Sequence, residues 1–329
     1  MCPQKRADGE VMHNIVFLDK SAVAPQIHLP KPDFPHQWVE YDYTESEQLV
    51  ERAEDATIIV TCGAPVPAAE LAQLPNLKMV CIAMTGTDHV DVDYCHEHGI
   101  QVCNVPAYSP ATVAEHALGL LLALRRQILA YHSLLKSNKW YGDDWQTNVF
   151  LDYEVNDIHT SRIGIVGSGM IGRAMGRLAT GLGMDVVYHN DVETANDLPL
   201  VSFDELLETC DAISLHCPLL SSTQNMFTLA EFKRMKKGAV IINAARGGII
   251  NESDLAEALR SGLLAGAALD AVEHEPIRPD EPLLQLMDLP NFIMTPHIAW
   301  SSQQAMQGLM NRAIGNINQW NKGTPTNLV

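Results

Sequence analysis

Gly167-Ser168-Gly169-Met170-Ile171-Gly172 follows the apolar run Ile163-Gly164-Ile165-Val166 and opens an amphipathic stretch. This spacing suits the backbone to a pyrophosphate. The first glycine makes the tight turn, the second lets the backbone approach the phosphates, and the third lets helix and strand pack closely. The helix N-terminus adds partial positive charge. The next strand should end at the adenosine ribose, where Asn190 and Asp191 stand. An acidic group there accepts hydrogen bonds from the ribose hydroxyls and rejects a 2′-phosphate. Asn190 by itself is ambiguous. Residues 178–232 contain no Lys or Arg, however, so a 2′-phosphate would meet no charge-matched partner in this stretch. NAD is favoured and NADP stays open.

Three polar residues stand among small or apolar neighbours near predicted strand ends. Arg246 lies in Asn243-Ala244-Ala245-Arg246-Gly247-Gly248, Glu275 in Val272-Glu273-His274-Glu275-Pro276, and His297 in Thr295-Pro296-His297-Ile298-Ala299-Trp300. Open α/β sheets bind ligands beyond the carboxyl ends of their strands. Taken singly, each residue has a plainer role as ion-pair partner, solvated loop residue or half-buried side chain. Together, downstream of a cofactor loop, they read as a reacting centre.

The elements that position these residues repeat as strand, helix, strand. Short apolar runs at 15–18, 57–60, 79–82 and 100–103 alternate with helical stretches at 45–54, 67–73 and 92–98. A long helix is expected over 109–139, with Ser109 as cap and Pro110 in its first turn. A loop or crossover is expected over 140–160. A second series has strands at 162–166, 185–188, 212–215, 239–242, 266–268 and 292–294, with helices at 172–183, 202–208, 229–235 and 252–261. This alternation predicts parallel sheets.

Composition sets limits. The 329 residues fit two domains at about 150 residues each. The net charge of −18 repels phosphate backbones and anionic membranes, so neither nucleic acid nor a membrane is an expected partner. The seven cysteines form no CxxC pair and several sit in apolar runs, as expected of buried free thiols in a reducing compartment, and the cytoplasm is the expected location. His89, Cys95, His96 and His98 are close in sequence but lack the i, i+4 spacing of helical ligand pairs, and no metal is expected.

With these motifs in order, the chain resembles the D-isomer-specific 2-hydroxyacid dehydrogenase family, in particular its glycerate dehydrogenase/hydroxypyruvate reductase members. The likeness runs from about Ile15 to Val329. Further segments that carry it are Met84-Thr85-Gly86-Thr87-Asp88, Asn104-Val105-Pro106, Val113-Ala114-Glu115-His116, and His216-Cys217-Pro218-Leu219. The resemblance implies an α/β fold of two Rossmann-like, doubly wound parallel-sheet domains, one flavodoxin-like and one NAD(P)-binding, with a cleft between them. Residues 1–107 with 299–329 would form the substrate domain and 108–298 the NAD-binding domain.

It also implies roles. His297 would be the general acid in reduction and general base in oxidation. Glu275 would orient the imidazole and favour its charged form. Arg246 would hold the substrate carboxylate and polarise the keto group. Backbone N–H groups of Thr85 and Gly86 would bind the carboxylate's other side. Asp270 would meet the nicotinamide carboxamide, beside Thr112, Ala244, Ala245 and Ala299. Cys217 and Pro218 would form the lip around the adenosine, and Thr223 would reach a cofactor hydroxyl or phosphate. A homodimer is implied as well. The loop 61–67 carries no Lys or Arg, which disfavours a phosphorylated substrate and points to the hydroxypyruvate or glyoxylate class. The segment 140–160 is atypical of the family, and Asn190 replaces its usual Asp. A rival of another class is a non-catalytic NAD(H)-sensing corepressor or scaffold on the same fold, which the intact Arg246, Glu275 and His297 disfavour.

Overall fold

A computed structural model describes residues 12–136, 152–190 and 197–329. Asp191, Cys2 and residues 140–151 of the expected loop lie outside these residues. The chain divides into two compact units, the first ending at Tyr108 and resuming over Ser301–Val329, the second Ser109–Trp300.

The first unit contains β1 (His13–Phe17), β2 (His36–Glu40), α1 (Ser46–Ala53), β3 (Ile58–Thr61), α2 (Ala68–Leu71), β4 (Met79–Ile82), α3 (Val92–Glu97) and β5 (Gln101–Cys103). Its five strands pair in parallel in the order β2-β1-β3-β4-β5. Every residue of β3 and β4 is buried, which is why each reads as a near-continuous apolar run, broken only by Thr61 at the end of β3, rather than an alternating one. β2 is not among the strands that apolar runs predict. It sits at the sheet edge with only alternate residues half-buried, so His36, Gln37 and Glu40 are tolerated and the run is never apolar.

The second unit opens with α4 (Pro110–Arg125) and α5 (Ile128–Lys136). The long helix expected over 109–139 is thus two helices. Gln127 takes a left-handed φ of 53° between them, which a continuous helix does not allow. Then follow β6 (Arg162–Val166), α6 (Met170–Gly181), β7 (Asp185–His189), α7 (Phe203–Thr209), β8 (Ala212–Leu215), α8 (Leu229–Arg234), β9 (Val240–Asn243), α9 (Glu252–Arg260), β10 (Gly266–Leu269) and β11 (Phe292–Met294). The sheet order is β7-β6-β8-β9-β10-β11, again all parallel. On one face Ala114, Ala117 and Leu121 of α4 join Ala174, Met175 and Ala179 of α6. On the other, Leu206, Phe232 and Leu255 cover the sheet from α7, α8 and α9.

The chain returns to the first unit as α10 (Gln303–Asn321), capped by the Ser302 hydroxyl accepting from Ala305 N–H. Apolar runs do not predict this helix either, because its buried face is spread at helical spacing through Ala305, Met306, Leu309, Ala313 and Ile317 among Gln and Asn. The six cysteines among the described residues are free and buried. Cys95 packs in the core, His96 reaches Val329 O at 2.6 Å, and His98 stacks on Tyr94.

Candidate active site

β6 pairs with β7 on one side and β8 on the other, so the chain reverses direction across the sheet at β6. A crevice at such a switch point is where open α/β sheets bind ligands. The glycine loop leaves from there. Gly167 takes φ 98°, and its N–H donates to His189 O at 2.9 Å. A Cβ on Gly172 would lie 2.0 Å from Gly167 O, so only glycine lets α6 start this close to β6. A Cβ on Gly169 would meet nothing within 4 Å, which leaves space over the loop for a phosphate. No side chain caps the first turn of α6. His216, at the end of β8, has a buried Nδ1 without a partner among the described residues, and burial lowers its pKa to about 4. Open space above the second glycine, an uncapped helix start and a partnerless buried nitrogen fit a dinucleotide.

The other expected cofactor residues fall around the same strand ends. Asn190 follows β7 directly, Cys217 and Pro218 follow β8, Ala244 and Ala245 follow β9, and Thr112 lies in the first turn of α4. Arg173 stands outside the cation-free stretch 178–232 in sequence, yet the fold brings it to Asp197, where the two form a bidentate pair at 2.7 and 2.9 Å. Its charge is already matched. Thr223 is buried; its hydroxyl donates to Pro218 O at 2.7 Å and accepts from Leu220 N–H at 2.7 Å. It therefore shapes the Cys217–Pro218 loop instead of offering a free hydroxyl.

Arg246, Glu275 and His297, the candidate reacting residues, follow three adjacent strands, β9, β10 and β11. His297 Nδ1 lies 2.6 Å from Glu275 Oε2, and Glu275 Oε1 accepts from Val272 N–H at 3.0 Å. The His297 backbone is left-handed at φ 51°, a conformation unusual for a non-glycine residue and held only by its surroundings. Its N–H donates to Asp270 O at 2.9 Å. The hydrogen bond to Glu275 raises the His297 pKa; the charges of Glu275 and Asp270 add to this, against burial and the charge of Arg246. Burial works against a charged Glu275, but hydrogen bonds from His297 and the Val272 N–H, with the charges of His297 and Arg246, outweigh it and lower its pKa. Beside the pair is a pocket of about 390 Å³ with apolar walls from Val272, Ile277 and Met294.

Asp270 lies beneath the His297 loop. Its carboxylate, 2 % exposed, accepts from Ile298 N–H at 3.0 Å, Ala299 N–H at 2.8 Å and the Thr295 hydroxyl. His116 of α4 adds a contact to Thr295 Oγ1 at 3.1 Å. Asp270 thus sets the loop that carries the histidine. Two further positioning residues went unassigned in the sequence. Asn243, 1 % exposed, accepts from Ala245 N–H and donates to Arg246 O at 2.8 Å, which fixes the turn bearing Arg246. Gly247 passes so close to the next loop that a Cβ would lie 2.0 Å from Val272 O. An Asn at a strand end followed by a double glycine is the signal that could have marked both.

In the first unit, Thr85 and Gly86 lie just beyond β4. The Thr85 hydroxyl donates to Val105 O at 3.1 Å and Asn104 Nδ2 to Thr85 O at 2.8 Å, which pins the loop. Among the described residues no hydrogen bond engages the N–H of Thr85 or Gly86.

Fold and site together define a dinucleotide-binding α/β oxidoreductase. Residues 118–299 match the D-isomer specific 2-hydroxyacid dehydrogenase family, over its NAD binding domain. The chain is 38 % identical over 316 residues to a glycerate dehydrogenase of Methylorubrum extorquens, covering 96 % of this chain and 98 % of the relative. It is 37 % identical over 291 residues to a hydroxypyruvate reductase of Blautia hydrogenotrophica, covering 87 % and 88 %. A D-lactate dehydrogenase of Aquifex aeolicus, solved with NAD and lactic acid, superposes with a TM-score of 0.77 at 26 % identity, over 94 % of this chain and 96 % of that one. The chain belongs to the D-isomer specific 2-hydroxyacid dehydrogenase family. It is an oxidoreductase acting on a CH–OH group, with NAD as cofactor.

Proposed function

We propose that this protein reduces a small unphosphorylated 2-keto acid of the hydroxypyruvate or glyoxylate class, using NADH, with His297 as general acid. The observation that carries the reading is the His297–Glu275 hydrogen bond of 2.6 Å at the mouth of an apolar-walled pocket. Relatives named glycerate dehydrogenase, hydroxypyruvate reductase and glyoxylate reductase support the substrate class.

Bound NADH supplies the hydride for C2 of the keto acid. The chain does the rest. Arg246 holds the carboxylate, and its guanidinium draws charge from the keto group. Glu275 occupies Nδ1 of His297, so the proton to be given sits on Nε2 and passes to the keto oxygen as C2 is reduced. The imidazole, left neutral, is recharged from solvent; in oxidation the same nitrogen takes the hydroxyl proton back. The raised pKa of His297 keeps the donor form present to a higher pH than an ordinary histidine would.

The protein works in the cytoplasm, in keeping with the free, buried cysteines. Among the described residues no helix is long and apolar enough to cross a membrane. It acts as a homodimer, for which the exposed Ile128, Leu129 and Leu135 of α5 are the supporting surface, and light scattering measures the mass.

The test follows nicotinamide absorbance with hydroxypyruvate, glyoxylate and pyruvate, each with NADH and NADPH, beside His297→Ala. Turnover with NADH that the substitution abolishes is the expected result. Undiminished turnover by His297→Ala, or none by the wild type with any pair, overturns the proposal.

A further inference from the structure

The first sheet has its own switch point, between β1 and β3, because β2 pairs on the far side of β1. Open α/β sheets place a ligand there, and anions are caught by successive backbone N–H groups. The loop after β3 offers such a set. Its N–H groups are already taken by Asp19, which directly follows β1 and Leu18. Asp19 Oδ2 accepts from Gly63 N–H at 2.6 Å, Ala64 N–H at 2.8 Å and Cys62 N–H at 3.0 Å, and Oδ1 accepts from Cys62 N–H at 2.9 Å. The Asp19 residue is 2 % exposed.

Nearby cations are turned elsewhere: Arg52 donates to Tyr43 O at 2.5 Å and to the Thr44 hydroxyl at 2.9 Å. Lys20 turns its ammonium to Glu40 at 2.7 Å, and residues 53–77 and 79–124 contain no Lys or Arg. Burial holds the neighbouring His89 below its usual pKa. The loop after β4, with the open N–H groups of Thr85 and Gly86, leaves the next strand, and Ala83 N–H donates to Thr61 O at 2.8 Å where the two loops part. The open amides of Thr85 and Gly86 and the filled amides of residues 62–64 therefore leave adjacent strands about one strand spacing, roughly 5 Å, apart.

We propose that Asp19 is a specificity-determining residue, whose carboxylate fills the amide nest at the switch point of the first sheet and bars 2-keto acids carrying a second anionic group. The inference rests on the reading of this protein as a reductase of small 2-keto acids. One open pair of amides serves one carboxylate, and the second anion site is closed from within.

The test compares wild type, Asp19→Ala and Asp19→Asn as full chains, with folding checked by circular dichroism. Two readouts are taken. The first is the ratio of kcat/KM for 3-phosphohydroxypyruvate to that for hydroxypyruvate. Asp19→Ala raises it about tenfold or more, a change of about 1.4 kcal/mol. Asp19→Asn keeps an acceptor oxygen without the charge and raises the ratio less, which decides the matter if Asp19→Ala does not fold. The second is melting with inorganic phosphate, with NADH saturating so that the pyrophosphate site is filled. Phosphate stabilises Asp19→Ala and not wild type. A folded variant that keeps the wild-type ratio and ignores phosphate overturns the proposal, as does a wild type that accepts both acids equally. The phosphate readout needs no turnover, so it decides the nest even where the reductase reading fails.

Discussion

The segment after β1 and the segment after β6 leave the same place in the same strand order. One leads to Asp19, the other to Gly167-Ser168-Gly169. In the first unit a carboxylate is folded into the switch point and takes the amides of three successive residues. In the second the glycine loop keeps its side chains away, space lies open over Gly169, and the helix start is uncapped. A parallel sheet provides an anion site at its switch point for topological reasons; whether a ligand uses it depends on whether a side chain arrives first. Occupancy, not fold, divides a cofactor-binding sheet from one that is closed at the same position.

Substitutions can break or sharpen this contrast. The largest effect belongs to the chemistry in the loops of the second sheet. His297→Ala lowers keto-acid turnover by about 10²–10⁴-fold while NADH still binds, read by steady-state kinetics beside a fluorescence titration. Gly172→Ala comes next. Its Cβ would sit 2.0 Å from Gly167 O, so the loop must shift, and the NADH Kd rises by about tenfold to 100-fold. Asn243→Ala removes the partner of Ala245 N–H and of Arg246 O in a half-buried turn. It costs about 1–3 kcal/mol in urea denaturation and raises KM for the keto acid by loosening Arg246.

A subtler effect is on pH. The raised pKa of His297 depends chiefly on Glu275, so wild-type reduction is strong below that pKa and falls as pH rises through it. In Glu275→Gln the descending limb of kcat/KM moves to lower pH, and an unmoved limb would show that Glu275 does not set the titration. The smallest effect is expected in the filled nest. Gly63→Ala places a Cβ where nothing lies within 4 Å, so thermal melting changes by no more than about 0.5 kcal/mol and NADH affinity is unchanged.

The parallel α/β class was legible in the sequence, because strands buried on both faces must be largely apolar, as β3, β4, β8 and β9 are, with Thr61, Ser214 and Asn243 their only polar residues. The sequence also marked the glycine loop, which needs glycines at local spacing, and offered Arg246, Glu275 and His297 as candidates by residue type near predicted strand ends. It did not show the edge strand β2 or the break at Gln127, where neither pattern nor composition changes sharply. Only the tertiary structure decided what depends on partners distant in the chain. It put Asp19 on amides 43 to 45 residues away, and Thr223 into its own loop. It also placed Asp270 under residues 298 and 299 and joined Arg173 to Asp197. A carboxylate's residue type shows that it can accept hydrogen bonds; which donors it receives is set by the packing of strands that meet only once the sheets have formed.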